Sequence, residues 1–406
     1  MIIVKGGVTA PEGFLASGLR AGIKKSAKLD LALLYSEVPA VAAGAFTTNR
    51  FQASPVRISR THLKNKTHQA VIVNSGNANC ANGMAGDRAA WEMACSAAAK
   101  MGLSGREVLV ASTGIIGVPL PLAKIKAKVT DLVGGLSARG AGDFAESILT
   151  TDTVRKEFAV KFKMARSIVS IGGACKGAGM IHPDMKTEKH ATMLAFITTD
   201  AAISKKVLEA ALEEAIADSF NMVSVDGDMS TNDSCFILAN GLAGNKKIEK
   251  RNGDYKKFTD GLKFLAGELA RMLARDGEGA TKFVEIQVAG AKTKEDAGKV
   301  ARKISTSNLL KCAIFGADPN WGRIVASAGA AGVEFDPGKV DVLLGGVKAL
   351  SNGAIAKNYD KEKARPFFKG KDVTIRVDLK SGDASARAWT CDFSKEYVAI
   401  NSEYST

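Results

Sequence analysis

The stretch Lys176-Gly177-Ala178-Gly179-Met180-Ile181-His182-Pro183, continuing through 184–190 to Ala191-Thr192-Met193-Leu194-Ala195-Phe196-Ile197-Thr198-Thr199-Asp200, decides how this chain is read. Its last part is an apolar run with a threonine, behind a small residue, at its mouth. By local physics Thr192 is a strand-leading residue. The functional alternative is a self-cleaving nucleophile. Its hydroxyl attacks the Ala191 carbonyl, hydrolysis of the ester leaves Thr192 at a new N-terminus, and the freed α-amine serves the hydroxyl as base. The stretch alone leaves both readings open.

Outward from it, helix and strand periodicities alternate, which predicts an α/β chain. Ser204 is a candidate N-cap for a helix with Val207, Leu208, Ala211, Leu212, Ala215 and Ile216 on one face. A second helix spans about 255–274, with Phe258, Leu262, Leu265, Leu269 and Leu273 inward and Gly277 as its stop. Helical spacing returns over 296–304. Period-two alternation marks strands at Val284, Ile286 and Val288, at Val373, Ile375, Val377 and Leu379, and at Trp389, Cys391 and Phe393. A domain boundary is expected near Thr281, giving units 1–280 and 281–406.

Three Gly/Asn/Ser/Thr-rich segments interrupt these elements: Val73–Asn79, Ala111–Gly117 and Asp226–Asp233. Each reads as turn chemistry by itself. Together they suggest a polar cleft, because exposed N–H groups and short hydroxyl or amide side chains suit anions and developing oxyanions. The nucleotide motifs fail. Gly277-Glu278-Gly279-Ala280-Thr281-Lys282 lacks phosphate-loop spacing and precedes a strand, and Gly172–Gly179 lacks the strand–turn–helix context of a dinucleotide site.

Composition narrows the classes. The 406 residues are 46% hydrophobic and 24% charged, ordinary globular usage, and no stretch approaches the length of a membrane helix. The start shows no basic segment followed by a long apolar run, so no signal peptide is expected. Net charge is +14, but the lysines stand as singles and pairs, and Trp 3, Tyr 5 and Phe 17 do not interleave with them as a nucleic-acid platform requires. Cys80, Cys95, Cys175, Cys235, Cys312 and Cys391 are scattered, and His62, His68, His182 and His190 form no ligand pattern. Reduced thiols and no metal are expected. Cys175, beside Lys176, reads as a packing residue or an activated thiol.

The chain resembles the ornithine acetyltransferases (glutamate N-acetyltransferases) of arginine biosynthesis over essentially its whole length. The resemblance rests on Gly6–Phe14, Ala43–Arg50, Val73–Asn79, Ser112–Gly117, Thr150–Thr153, Lys176–Met180, Ala191–Asp200, Val225–Asp233, Asp276–Ala280, Phe315–Arg323 and Tyr397–Asn401, in that order. It implies a layered α/β sandwich catalytic domain with a smaller C-terminal α/β domain. It also implies a precursor cut between Ala191 and Thr192 into α (1–191) and β (192–406) chains, assembled as an α2β2 heterotetramer in the cytoplasm. Acetyl passes from N-acetylornithine to Thr192 and then to glutamate, with no metal or redox cofactor. Some members also take acetyl from acetyl-CoA. By the same resemblance Thr113 and Gly114 are the oxyanion-hole donors, and Thr153, Lys176, Thr192, Glu278, Asn401 and Thr406 contact substrate. Lys176 suits a carboxylate and Glu278 an ammonium.

One departure stands out. Lys186-Thr187-Glu188-Lys189-His190 separates Pro183-Asp184-Met185 from Ala191. Counting forward from Lys176 the usual spacing lands on Thr187, and counting back from Met193–Phe196 it lands on Thr192. Thr192 is preferred, since it keeps alanine before it and the apolar run after it. The alternatives are a related self-processing aminopeptidase or amidohydrolase, and an uncleaved protein that binds metabolites without turning them over.

Overall fold

The computed structural model describes residues 1–185 and 193–403. Its first sheet has nine strands. Eight run in the order Ile2–Val4, Lys156–Met164, Ser167–Lys176, Leu194–Thr199, Ser234–Ala239, Leu31–Phe46, His68–Asn77 and Val108–Ile115, and Phe14–Leu19 pairs with Leu31–Phe46 off that path. The strand Leu31–Phe46 is used twice. Residues 31–35 pair with His68–Asn77 and residues 41–46 with Ser234–Ala239, with a break in register between Tyr35 and Ala40. Pro39 lies within this break, where its missing N–H costs the ladder nothing.

The break folds the sheet onto itself, and the period of two shows it. Ala32, Leu34, Val71, Val73, Leu109 and Ala111 from one half meet Ala42, Phe46, Phe196, Phe236 and Leu238 from the other in a shared inner core. The alternate residues Leu31, Leu33, Ala70, Ile72, Val108 and Val110 face outward, onto helices Gly83–Met101 and Leu122–Gly134. On the opposite side Ala43, Ala45, Ala195, Ile197, Cys235 and Ile237 face helices Lys205–Ala217 and Gly253–Arg275. The result is helix, sheet, sheet, helix: the expected layered sandwich. Each large apolar side chain buried in the inner core contributes about 1.5–3 kcal/mol.

The helix faces read from the sequence are the buried ones. Val207, Leu208, Ala211, Leu212, Ala215 and Ile216 are all inward, as are Phe258, Leu262, Leu265, Leu269 and Leu273. Two local details differ. Ser204 occupies the N-cap in extended conformation, but its hydroxyl makes no cap bond. The second helix is capped by Asp276, and the left-handed glycine beyond it is Gly279 (φ 65°) rather than Gly277.

A second sheet of six strands is built wholly from residues after Thr281, in the order Ala354–Ile355, Val347–Ser351, Asp341–Leu344, Asp372–Asp378, Phe283–Ala291 and Ala384–Cys391. Val284, Ile286, Val288, Val373, Ile375 and Val377 form its buried row, and Phe393 falls just past the last strand. Helix Lys294–Ser305 is capped by the Thr293 side chain, and its buried residues Ala297, Val300, Ala301 and Ile304 join the same core. Helix Gly253–Arg275 shares one continuous core with both sheets. The glycine-rich run 172–179 owes its composition to packing, because a Cβ at Gly172 would lie 1.9 Å from the Gly7 carbonyl oxygen. Among the described residues no helix is long and apolar enough to cross a membrane.

Candidate active site

At one edge of the sandwich the strands Val108–Ile115 and Ser167–Lys176 end, and Leu194–Thr199 and Ser234–Ala239 begin. A cavity of about 290 Å³ opens there. All three polar loops singled out in the sequence reach it, through Ala78, through Thr113, Gly114 and Ile116, and through Asp226–Asp233. Their amides serve mostly to shape the loops. The Asn74 side chain donates to Asn77 O at 2.8 Å, and Asn232 Nδ2 to Ala78 O and Ser112 O at 2.6 and 2.8 Å.

Thr113 and Gly114 sit at an irregular register with the neighbouring strand, where Asn77 pairs with both Thr113 and Ile115. Gly114 has φ 130°, and a Cβ there would lie 2.4 Å from the Gly76 carbonyl carbon. Only glycine allows that approach. Beside it Lys176 is buried, and its Nζ donates to Thr150 Oγ1 at 2.8 Å and to Thr113 Oγ1 at 3.3 Å. Burial pulls the Lys176 pKa down, partly offset by Asp152.

Behind Lys176 lies an ion cluster. Lys156, fully buried, pairs with Asp152 at 2.7 Å and with Asp276. Asp152 also accepts the Gly177 N–H at 2.6 Å and lies 3.9 Å from Lys176 Nζ. Burial alone would raise its pKa, but Lys176, Lys156 and the Gly177 N–H outweigh that and hold its carboxyl well below the usual range. The cluster ties the 150–153 segment to the loop that follows Lys176.

Glu278 enters from the far side, and its Oε2 accepts from Asn401 Nδ2 at 2.9 Å. Asn401 and Tyr397 come from the C-terminal helix Lys395–Glu403, which closes this side of the cavity. Asp226 accepts the N–H groups of Met180 and Ile181 at 2.6 and 2.9 Å and so shapes the wall between Lys176 and Glu278. Burial first, then Asp226 and Glu278, pushes the Tyr397 hydroxyl well above its ordinary pKa.

Thr113, Gly114, Lys176, Glu278 and Asn401 thus share one cavity, although the sequence scatters them. Thr153 is not among the cavity-lining residues. Its N–H and hydroxyl both go to Asp276, while Thr150 and Thr151 line the wall. Ala191, Thr192, Thr187 and Thr406 lie outside the described residues, and Met193 and Leu194 line the cavity. Cys175 is no activated thiol, since burial raises its pKa to about 12. The sequence reading missed Asp152, Lys156 and Asp276 as a cluster and Asp233 as a wall residue. Asp152, Asp233 and Asp276 do fall inside the segments that carry the resemblance.

The family model described as "ArgJ family" matches residues 15–406. A protein named arginine biosynthesis bifunctional protein ArgJ, from Symbiobacterium thermophilum, is 47% identical over 99% of both chains. One of the same name from Dehalococcoides mccartyi is 48% identical over 100% of this chain and 98% of its own. The crystal structure of the arginine biosynthesis bifunctional protein ArgJ from Bacillus halodurans aligns with TM-score 0.51 and 40% identity, over 52% of this chain and 100% of that one. With a family match over nearly its whole length and near-half identity to full-length relatives, this chain belongs to the ArgJ family.

Proposed function

We propose that this enzyme transfers acetyl from N-acetyl-L-ornithine to L-glutamate through an acetyl-threonine on Thr192, after cutting itself between Ala191 and Thr192. The observation that carries the reading is the cavity at the start of the strand led by Met193, with a buried cation, a carboxylate and a glycine turn converging on it. Lys176 takes the substrate carboxylate and Glu278 its ammonium, which orients a small zwitterion. The Thr192 hydroxyl attacks the acetyl carbonyl, and the Thr113 hydroxyl and Gly114 N–H receive the oxyanion. Glutamate then binds in place of ornithine and accepts the acetyl group. Ala191, Thr192, Asn401 and Thr406 keep the roles the resemblance gives them, whereas Thr153, with its N–H and hydroxyl on Asp276, acts from behind the cavity wall. The steps need no metal or redox group. The reading includes an α2β2 assembly, a cytoplasmic location and a division of the chain near Thr281.

Intact mass spectrometry with N-terminal sequencing tests it first. Fragments 1–191 and 192–406 are expected, followed by N-acetylglutamate formation that depends on N-acetylornithine. Running the assay with acetyl-CoA as sole donor identifies the type of enzyme. A fragment starting at Thr187 moves the nucleophile. Acetate released without N-acetylglutamate makes the protein a hydrolase, and a single uncut, inactive chain removes the enzyme reading. Glu278→Gln gives a second check. Loss of a charged hydrogen-bond partner is worth about 1.5–3 kcal/mol, so KM for N-acetylornithine is expected to rise roughly 10- to 100-fold. An unchanged KM would mean that Glu278 does not hold the ammonium.

A further inference from the structure

Asp233 stands just before the strand Ser234–Ala239, with its carboxylate buried in the cavity wall. Its backbone is anchored, because the Asp233 carbonyl accepts the Thr47 N–H at 3.1 Å. Its side chain is not. Neither carboxylate oxygen has a hydrogen-bond partner among the described residues. An unpaired buried carboxylate is costly, and folds keep them rarely.

The neighbouring acids make the contrast. Asp152 has Lys156 and the Gly177 N–H, Asp276 has Lys156 and Thr153, Asp226 has Met180 and Ile181, and Glu278 has Asn401. Lys176 is the cation whose field reaches Asp233, but its Nζ donates to Thr150 and Thr113. The other acids on the same cavity wall are Asp226, Asp228 and Glu278. Burial, only partly opposed by Lys176, raises the Asp233 pKa well above the ordinary carboxylate range. The group therefore retains a proton at pH values where exposed carboxyls have lost theirs.

The register gives this proton a use. Leu194 pairs with Ser234 in parallel, and the Ser234 N–H donates to the Met193 carbonyl at 2.7 Å. Asp233 is thus level with Met193, the residue bonded to Thr192. Resting on the reading of Thr192 as nucleophile, we propose that Asp233 is the acid of the self-cleavage step. The Thr192 hydroxyl oxygen bonds to the Ala191 carbonyl carbon, and the Ala191–Thr192 C–N bond breaks. Asp233 gives its proton to the departing nitrogen and takes up the one the hydroxyl loses, so the carboxyl ends as it began. The products are an ester and a free amine. Water then hydrolyses the ester, leaving a carboxyl on Ala191 and a hydroxyl on Thr192.

The test compares the full-length chain with Asp233→Asn, made by cell-free synthesis, with cleavage followed by mass spectrometry between pH 6 and 9. Asparagine keeps the shape and cannot donate an acidic proton, so cleavage is expected to slow about 100-fold, as for loss of a general acid. The wild-type rate should fall as pH rises through the raised pKa, and that limb should vanish in the variant. A purely structural role is separated by stability, measured in a Thr192→Ala background so that both chains stay uncut. A carboxyl with a raised folded pKa binds extra protons in the native state, so its contribution to stability declines as pH climbs from the unfolded to the folded pKa. Asp233→Asn abolishes that decline, and its melting temperature at neutral pH should equal or exceed the parent's. A variant that cuts at the wild-type rate, or one that cuts slowly and is also less stable, overturns the proposal. A wild-type chain that never cuts overturns instead the reading of Thr192 on which it rests.

Discussion

Lys156→Met is expected to lower folding stability by about 3–5 kcal/mol, the usual cost of removing one partner from a buried ion cluster. Lys156 is fully buried between Asp152 and Asp276, so methionine keeps the length but leaves two buried carboxylates without their cation. Lys176, 3.9 Å from Asp152, is already engaged with Thr150 and Thr113 and cannot take its place. Denaturant unfolding at pH 7 reads the loss directly. The pH dependence gives the cause. In the parent chain the depressed Asp152 pKa contributes stability that is present above about pH 4 and is lost as pH falls toward the folded pKa. In the variant only Lys176 and the Gly177 N–H still hold that carboxyl down, so the deficit should shrink on acidification. A loss below 1 kcal/mol, or a deficit constant from pH 7 to pH 4, would mean that the cluster does not govern this part of the fold.

Much of this fold is written in short-range periodicity. Val207–Ile216 and Phe258–Leu273 follow the helical repeat, and Val284–Val288 and Val373–Val377 the strand repeat, because each packs one face on a single core. The doubling of the first sheet is different. It depends on Leu31–Phe46 serving two partners across a break around Pro39, and nothing local in that strand says which partners those are. The site divides the same way. Thr113, Gly114, Lys176, Glu278 and Asn401 were named through the family resemblance, since each alone reads as a turn, an ion pair or a chain end, and the fold gathers them. The ion cluster was not found, because the spacing of Asp152 and Lys156 looks like an ordinary surface pair and its third member, Asp276, comes from a distant helix end. Asp233 was passed over within a turn-like loop, since the absence of a partner becomes visible only in three dimensions.

Gly114→Ala is expected to reduce kcat for acetyl transfer by about 10²–10³ or more while the chain still folds. Two independent constraints act at this residue. Its φ of 130° is one that residues with a side chain rarely adopt, and an added Cβ would fall 2.4 Å from Gly76 C and 2.6 Å from Asn77 N. Both contacts are backbone, so no rotamer relieves them, and the turn must shift by an appreciable fraction of an ångström. An oxyanion donor tolerates little of that, because its N–H must already point where charge develops. Leu109 and Ala111 carry this strand's share of the inner core and Gly114 is not one of its residues, so far-UV circular dichroism should be unchanged. Thr113→Val makes the complementary test. Lys176 donates to the Thr113 oxygen, which leaves the hydroxyl hydrogen available to the cavity, and valine deletes that hydrogen with little change of volume. A loss of about 10²–10³ in kcat with KM little altered is expected there too. On the proposed mechanism the same donors serve the Ala191 carbonyl in cleavage and the acetyl carbonyl in transfer, so both variants should also accumulate uncut chain. Near-normal turnover in Thr113→Val alone would leave the Gly114 N–H as the donor, and near-normal turnover in both would remove this turn from the chemistry.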